Sequence, residues 1–186
     1  MSSATIDLLP ATPEDADEIR ALAESIWWRV YPAILAPEQI RFMLDWMYAP
    51  RQLRSEIASG QVQYQFFLLG GERIGYSAHH AGQESGEIHL SKFYLATQYH
   101  GQGLGSAALQ ALIAQARSED ARSLTLRVNR QNHAALRCYL RNGFHVIRNV
   151  LTHIGGGFVM DDHWMRLDLP LTVPGPNEPA PPAPPA

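Results

Sequence analysis

The chain has 186 residues, 46% of them hydrophobic, and a formal net charge of −3. That length buries one good core but not two typical domains, and an acidic balance with no lysine/arginine cluster excludes a nucleic-acid grip. A lone cysteine, Cys138, excludes an internal disulfide, no apolar run nears the ~20 residues that span a bilayer, and the N-terminus lacks a basic-then-apolar leader. A soluble, cytoplasmic protein with no membrane or nucleic-acid partner is expected.

In chain order, TIDLLPAT predicts a first strand. Thr12, followed by Pro13, Glu14 and Asp15, predicts a helix start: a hydroxyl cap, proline in the first turn, then acids at the positive end of the dipole. Ile19, Leu22, Ala23 and Ile26 continue at helical spacing, with Trp27, Trp28 and Tyr31 crowding the far end. A second helix is predicted from Pro37, with Ile40, Met43, Leu44 and Met47 on one face. Pro50 then introduces a third, short helix carrying Leu53 and Ile57, which Gly60 ends. From Val62 the period becomes two: Val62, Tyr64, Phe66 and Leu68 oppose Gln61, Gln63 and Gln65, and Gly70-Gly71 turns the chain into RIGYSAHH. After the polar turn GQESG, a long run from Glu87 to Thr97 feeds a glycine corner. Leu104 to Arg117 then reads as a helix, SLTLRV as a strand, Ala134 to Arg141 as a short helix, and FHVIRN and HWMRLDL as strands. Such mixing predicts an α/β layered domain over residues 1–169. Proline fills eight of the seventeen positions from Pro170 to Ala186, which predicts a disordered tail over 170–186.

The glycine corner, FYLATQYHGQGLGSAAL, places three glycines in five residues between a strand and a helix. Such a turn offers free backbone N–H groups at the positive end of a helix dipole, where a phosphate or pyrophosphate is the natural guest. No Walker string occurs, and the dinucleotide fingerprint is imperfect because Ser106 holds its third glycine position. A second segment, NRQNHAALRCYLRNGF, puts Asn132 at a helix cap, Tyr139 two turns inside that helix, and Gly143-Phe144 at its exit.

Together, His100-Gly101-Gln102-Gly103-Leu104-Gly105 and the segment Asn132 to Phe144 resemble the signature of the GNAT superfamily of N-acetyltransferases. The family pattern is Arg/Gln-x-x-Gly-x-Gly/Ala, and His100 departs from its first position. The resemblance runs from about Ile6 to Leu169. Within the superfamily, TPEDADEI, APEQIRFML, KFYL, NRQNHAA and GGGFVMDDHWM look similar to a bacterial group that includes spermidine/spermine N-acetyltransferases. It implies a mixed, mostly antiparallel sheet of about seven strands, splayed at the centre and flanked by helices, with acetyl-CoA in the cleft. It also implies that His100, Gly101, Gln102, Gly103, Leu104, Gly105 and Ser106 form the pyrophosphate cradle, that Phe93, Tyr94 and Leu95 bond the pantetheine arm, and that Asn132 and Tyr139 contact the cofactor.

Acetyl transfer to an amine needs a base for the amine, donors for the developing oxyanion and a proton for the leaving thiolate. By resemblance Tyr139 serves the thiolate, and a backbone N–H near Leu95 serves the oxyanion. Glu87 and His89, alternating onto one strand face, are candidates for the base, as are His79 and His80 on the neighbouring strand or a water chain. Trp27, Trp28 and Tyr31 are candidates to wall an amine substrate, with Asp161, Asp162 or Glu87 supplying negative charge. Cys138 reads as a small buried hydrophobe, and the histidine spacing contains no H-E-x-x-H, so no metal is expected. The expected partner is a small-molecule or peptide amine, and the resemblance is compatible with a homodimer. The rival readings are an acyl-CoA-binding sensor without turnover and a nucleotide-dependent oxidoreductase.

Overall fold

The computed structural model describes residues 5–170. The expected proline-rich tail, from residue 171 on, lies outside the described residues. Strand β1 (Asp7–Pro10) leads through a capping turn, where Thr12 N–H donates to Asp15 Oδ2 at 2.8 Å, into α1 (Ala16–Val30). Helices α2 (Pro37–Met47) and α3 (Pro50–Ser59) each begin on the proline that the sequence placed at their first turn, and Gly60 ends α3 in the left-handed region at φ +67°. The remaining elements are β2 (Gln63–Leu69), β3 (Glu72–Ala81), β4 (Glu87–Leu95), α4 (Leu104–Ser118), β5 (Ser123–Asn129), α5 (His133–Arg141), β6 (His145–Gly155) and β7 (Phe158–Asp168).

The seven strands form one sheet in the order β1-β2-β3-β4-β5-β7-β6, antiparallel throughout except between β4 and β5. One face packs on α4 and α5 through residues such as Leu90, Leu109, Ile113, Leu126 and Met165. The other packs on α1, α2 and α3 through Ile19, Trp27, Ile40, Leu44, Leu53 and Phe66. The fold matches the α/β, seven-stranded expectation.

Three local features differ from the sequence reading. Strand β2 buries both faces along its middle: Gln63 is exposed, but Gln65 on the same face is 4% exposed and donates to Gln115 Oε1 at 2.9 Å, while Phe67 joins the α4-side core. Strands β6 and β7 are longer than FHVIRN and HWMRLDL, because they extend as a hairpin to a Gly155-Gly156-Gly157 turn with positive φ at all three positions. Finally, Ala78 pairs with Lys92 but His79 pairs with Leu90, so Ser91 is an extra residue in β4. This bulge reverses side-chain parity. Ile88 and Leu90 therefore face α4 together with Phe93 and Leu95, and His89 shares the opposite face with Tyr94.

Candidate active site

The single parallel junction opens the sheet. Strands β4 and β5 pair only over Glu87–Leu90 and Ser123–Leu126; beyond that, β4 stays with β3 to Leu95 while β5 stays with β7 to Asn129. Parallel strands that part company leave the facing edge of each without a ladder partner. The gap is a cleft of about 1190 Å³.

The glycine corner closes one end of it. Gly101 and Gly103 adopt φ +76° and +80°, and a Cβ at either would meet nothing within 4 Å, so backbone conformation alone, not crowding, selects glycine there. Ala107 is the first residue after the corner whose N–H finds a backbone acceptor, the Gly103 carbonyl at 3.1 Å. Among the described residues the N–H groups from Gly101 to Ser106 find none. This is the opening turn of α4, so unpaired donors and the dipole's positive end coincide. His100, the departure from the family pattern, bonds the Leu95 carbonyl through Nε2 at 2.9 Å and so ties the corner to the end of β4.

Helix α5 forms the adjoining wall. Asn132 caps it by accepting the Ala135 N–H at 3.2 Å, as its position suggested. Tyr139 lies in the cleft with its ring 6.0 Å from that of Phe93 and 5.8 Å from that of Phe144. Burial, and after it the neighbouring Tyr31 and Cys138, push its phenol well above the ordinary tyrosine range, so it keeps its proton at neutral pH. Cys138 is half-buried, and burial raises its thiol.

Opposite the corner the wall is aromatic. Trp27 and Tyr31 lie one helical turn apart on α1 with ring centroids 4.5 Å apart, and Tyr31 meets the Tyr94 hydroxyl at 3.3 Å. Trp28 is not in the cleft: it is rotated about 100° around α1 from Trp27, and it packs half-buried against the helical core. Its substrate-binding assignment is therefore dropped. Phe93, Tyr94, Leu95, His100, Gly101, Gly103, Gly105, Ser106, Asn132, Tyr139, Trp27, Tyr31 and His89 all line the cleft. Leu104 turns its side chain into the core, and Gln102 folds back to donate to the Gln98 carbonyl at 2.7 Å, so both can contribute only backbone.

The two strand residues expected as bases separate. Glu87 is 6% exposed and does not reach the cleft. It accepts from Thr125 Oγ1 at 3.0 Å and from the Gln83 N–H at 3.2 Å, with Arg166 3.8 Å away. His89 does line the cleft, and its Nδ1 is 2.9 Å from the same Thr125 oxygen. Thr125 has one proton and gives it to Glu87, so the network assigns the proton of His89 to Nδ1 and leaves a lone pair on Nε2. Burial first, then His80 and Arg127, lower the His89 pKa to about 4, so its ring is neutral at pH 7. His79 and His80 lie outside the cleft.

The sequence reading gave Asp162 only a minor part, yet among the described residues it is the sole acidic side chain lining the cleft, against Arg29, Arg127, Arg137 and Arg141. Its carboxyl is raised to about 6 by burial, opposed by Arg127 and assisted by Asp161.

A family model described as the acetyltransferase (GNAT) family matches residues 21–144. The chain belongs to the GNAT family. The matched stretch runs from α1 through the corner to Phe144. An uncharacterized N-acetyltransferase of Mycobacterium tuberculosis is 29% identical over 132 residues, covering 71% of this chain and 84% of that relative. Among solved structures, the PaiA N-acetyltransferase of Thermoplasma acidophilum in complex with coenzyme A aligns over 91% of this chain and 100% of its own, at TM-score 0.72 and 21% identity. A GCN5-related N-acetyltransferase from Rhodopseudomonas palustris aligns over 91% and 99%, at TM-score 0.73 and 18% identity. Both share their fold with this chain. No helix among the described residues is long and apolar enough to cross a membrane.

Proposed function

We propose that this GNAT acetyltransferase moves the acetyl group of acetyl-CoA to a primary amine of a small molecule or peptide, by direct attack in a ternary complex. The observation that carries the reading is the junction of the β4/β5 gap with a corner of unpartnered N–H groups. That cradle fits a pyrophosphate, and the free edge of β4 from Phe93 to Leu95 fits an extended amide-bearing arm. Arg137 and Arg141, one turn apart on α5, add positive charge where the phosphates would lie. When bound, acetyl-CoA supplies an activated acyl thioester.

The chain's own residues supply the rest. His89 accepts a proton from the amine at Nε2, while Thr125 and Glu87 behind it hold the ring in the required tautomer. Glu87 thus positions the base and does not act as one. A backbone N–H near Leu95 is offered to the acyl oxygen, and Tyr139, protonated at Oη, donates to the departing sulfur. Trp27 and Tyr31 wall the acceptor and exclude water. The narrower likeness to spermidine/spermine N-acetyltransferases makes those polyamines the first acceptors to try.

Tyr139→Phe separates this reading from an acyl-CoA sensor. In steady-state assays kcat is expected to fall by about 10²-fold or more with acetyl-CoA affinity retained. Unchanged turnover would remove the tyrosine from the chemistry, and tight acetyl-CoA binding without turnover in the parent protein would favour the sensor.

A further inference from the structure

Asp162 stands on β7 across from Asn129 of β5 and Val150 of β6, at the mouth of the gap. Only 5% of it is exposed, and its Oδ1 has no hydrogen-bond partner although it lines the cleft. A buried carboxylate without a partner is costly, and folded chains keep one mainly where a ligand completes it. Arg127, whose charge acts on Asp162, does not complete it: among the described residues it makes no ion pair with Asp162, and its guanidinium lies over the Trp164 ring, 4.5 Å from its centroid. Tyr31 and Asp162 line the same cleft, and Trp27, its ring 4.5 Å from that of Tyr31, leaves its own Nε1 buried and unpartnered. An orphan carboxylate in one cleft with two aromatic side chains is the chemistry that receives an organic cation. The four arginines lining the same cleft suit the anionic partner instead.

We propose that Asp162 binds the acceptor's ammonium group, and that acceptors carry no carboxylate beside that nitrogen. An α-carboxylate would be brought against Asp162, itself almost fully buried, where like charges are poorly screened. Amines, diamines and decarboxylated amino acids are therefore the substrate class, and free amino acids are excluded. The proposal rests on the acetyltransferase reading above, in which the second substrate is an amine.

Matched probes test it: tyramine against tyrosine and agmatine against arginine, each pair differing by one carboxylate. They are titrated calorimetrically into the full chain and its D162N variant, with acetyl-CoA titrated separately into both. The parent is expected to bind each amine at least about tenfold more tightly than its amino acid, and D162N to lose at least about tenfold in amine affinity while binding acetyl-CoA as the parent does. Retained acetyl-CoA binding certifies that the variant is folded; if it is lost, D162S takes its place. Equal affinity for amine and amino acid, amine binding untouched by the substitution, or no binding of either amine would each overturn the proposal. Absence of acetyl-CoA binding to the parent would instead sink the acetyltransferase reading, whatever the amines do.

Discussion

Asp162 and His89 face one cleft with opposite electrostatic consequences. The folded-state pKa of Asp162, about 6, exceeds its unfolded value near 3.8, so the folded protein binds the extra proton and stability is lost as pH rises from about 4 to 6. His89, at about 4 against 6.5, is depressed, so the unfolded chain binds the extra proton and stability is gained as pH rises through the same window. The two slopes oppose each other. Relative to the parent, D162N is expected to gain stability between pH 4 and 6.5, and H89Q to lose it, by about 1–3 kcal/mol each in urea unfolding series. Parallel curves for all three proteins would contradict the burial of these groups. The same lowered pKa leaves Nε2 of His89 unprotonated above about pH 5, so a kcat profile is expected to show no histidine limb between pH 6 and 8. Thr125→Val removes the hydroxyl that fixes the tautomer, and kcat is expected to fall by about tenfold with little change in KM for acetyl-CoA. An unchanged kcat would mean that the Thr125 contact is structural only.

At the scale of elements, the corner and the bulge govern what reaches the cleft. Gly103→Ala meets no neighbour but forces a left-handed alanine, so a cost of about 1–2 kcal/mol is expected in acetyl-CoA affinity, read by calorimetry, with the core intact. Gly75→Ala has a different cost: its Cβ would lie 2.8 Å from the Leu95 Cα and against the Tyr94 carbonyl, so a lower melting temperature is expected. The corner, the Asn132 cap and all five helices were legible in the sequence because each is set by residues within a few positions. The Ser91 bulge was not, since a bulge is defined by what the partner strand skips, and this one carries no glycine. The long β6–β7 hairpin was missed because GGG reads as a loop and the residues around it do not alternate. That omission left Asp162 undistinguished from Asp161 and Glu87 as a source of negative charge, since its place in the cleft depends on β7 beginning at Phe158. Glu87 and His89 were found together, but only the β4–β5 pairing could show that Thr125 lies between them and that one faces the cleft while the other is buried.

For the molecule as a whole, one sheet with a core on each face holds two partly separated strands at a fixed gap. Helices α1 and α2 line the cleft from one side of the sheet and α4 and α5 from the other, so in the proposed reaction each substrate meets a different layer. The proposed anionic and cationic partners would be sorted by charge along one cleft, with arginines lining it on several elements and, among the described residues, one aspartate. The most direct test is acetyl-CoA binding to the full chain by calorimetry, run beside release of free CoA across a panel of primary amines. Saturable binding, with CoA released only when an amine is present, is the expected result. A chain that binds no acetyl-CoA, or one that binds it and releases CoA at the same rate without any amine, would contradict transfer in a ternary complex.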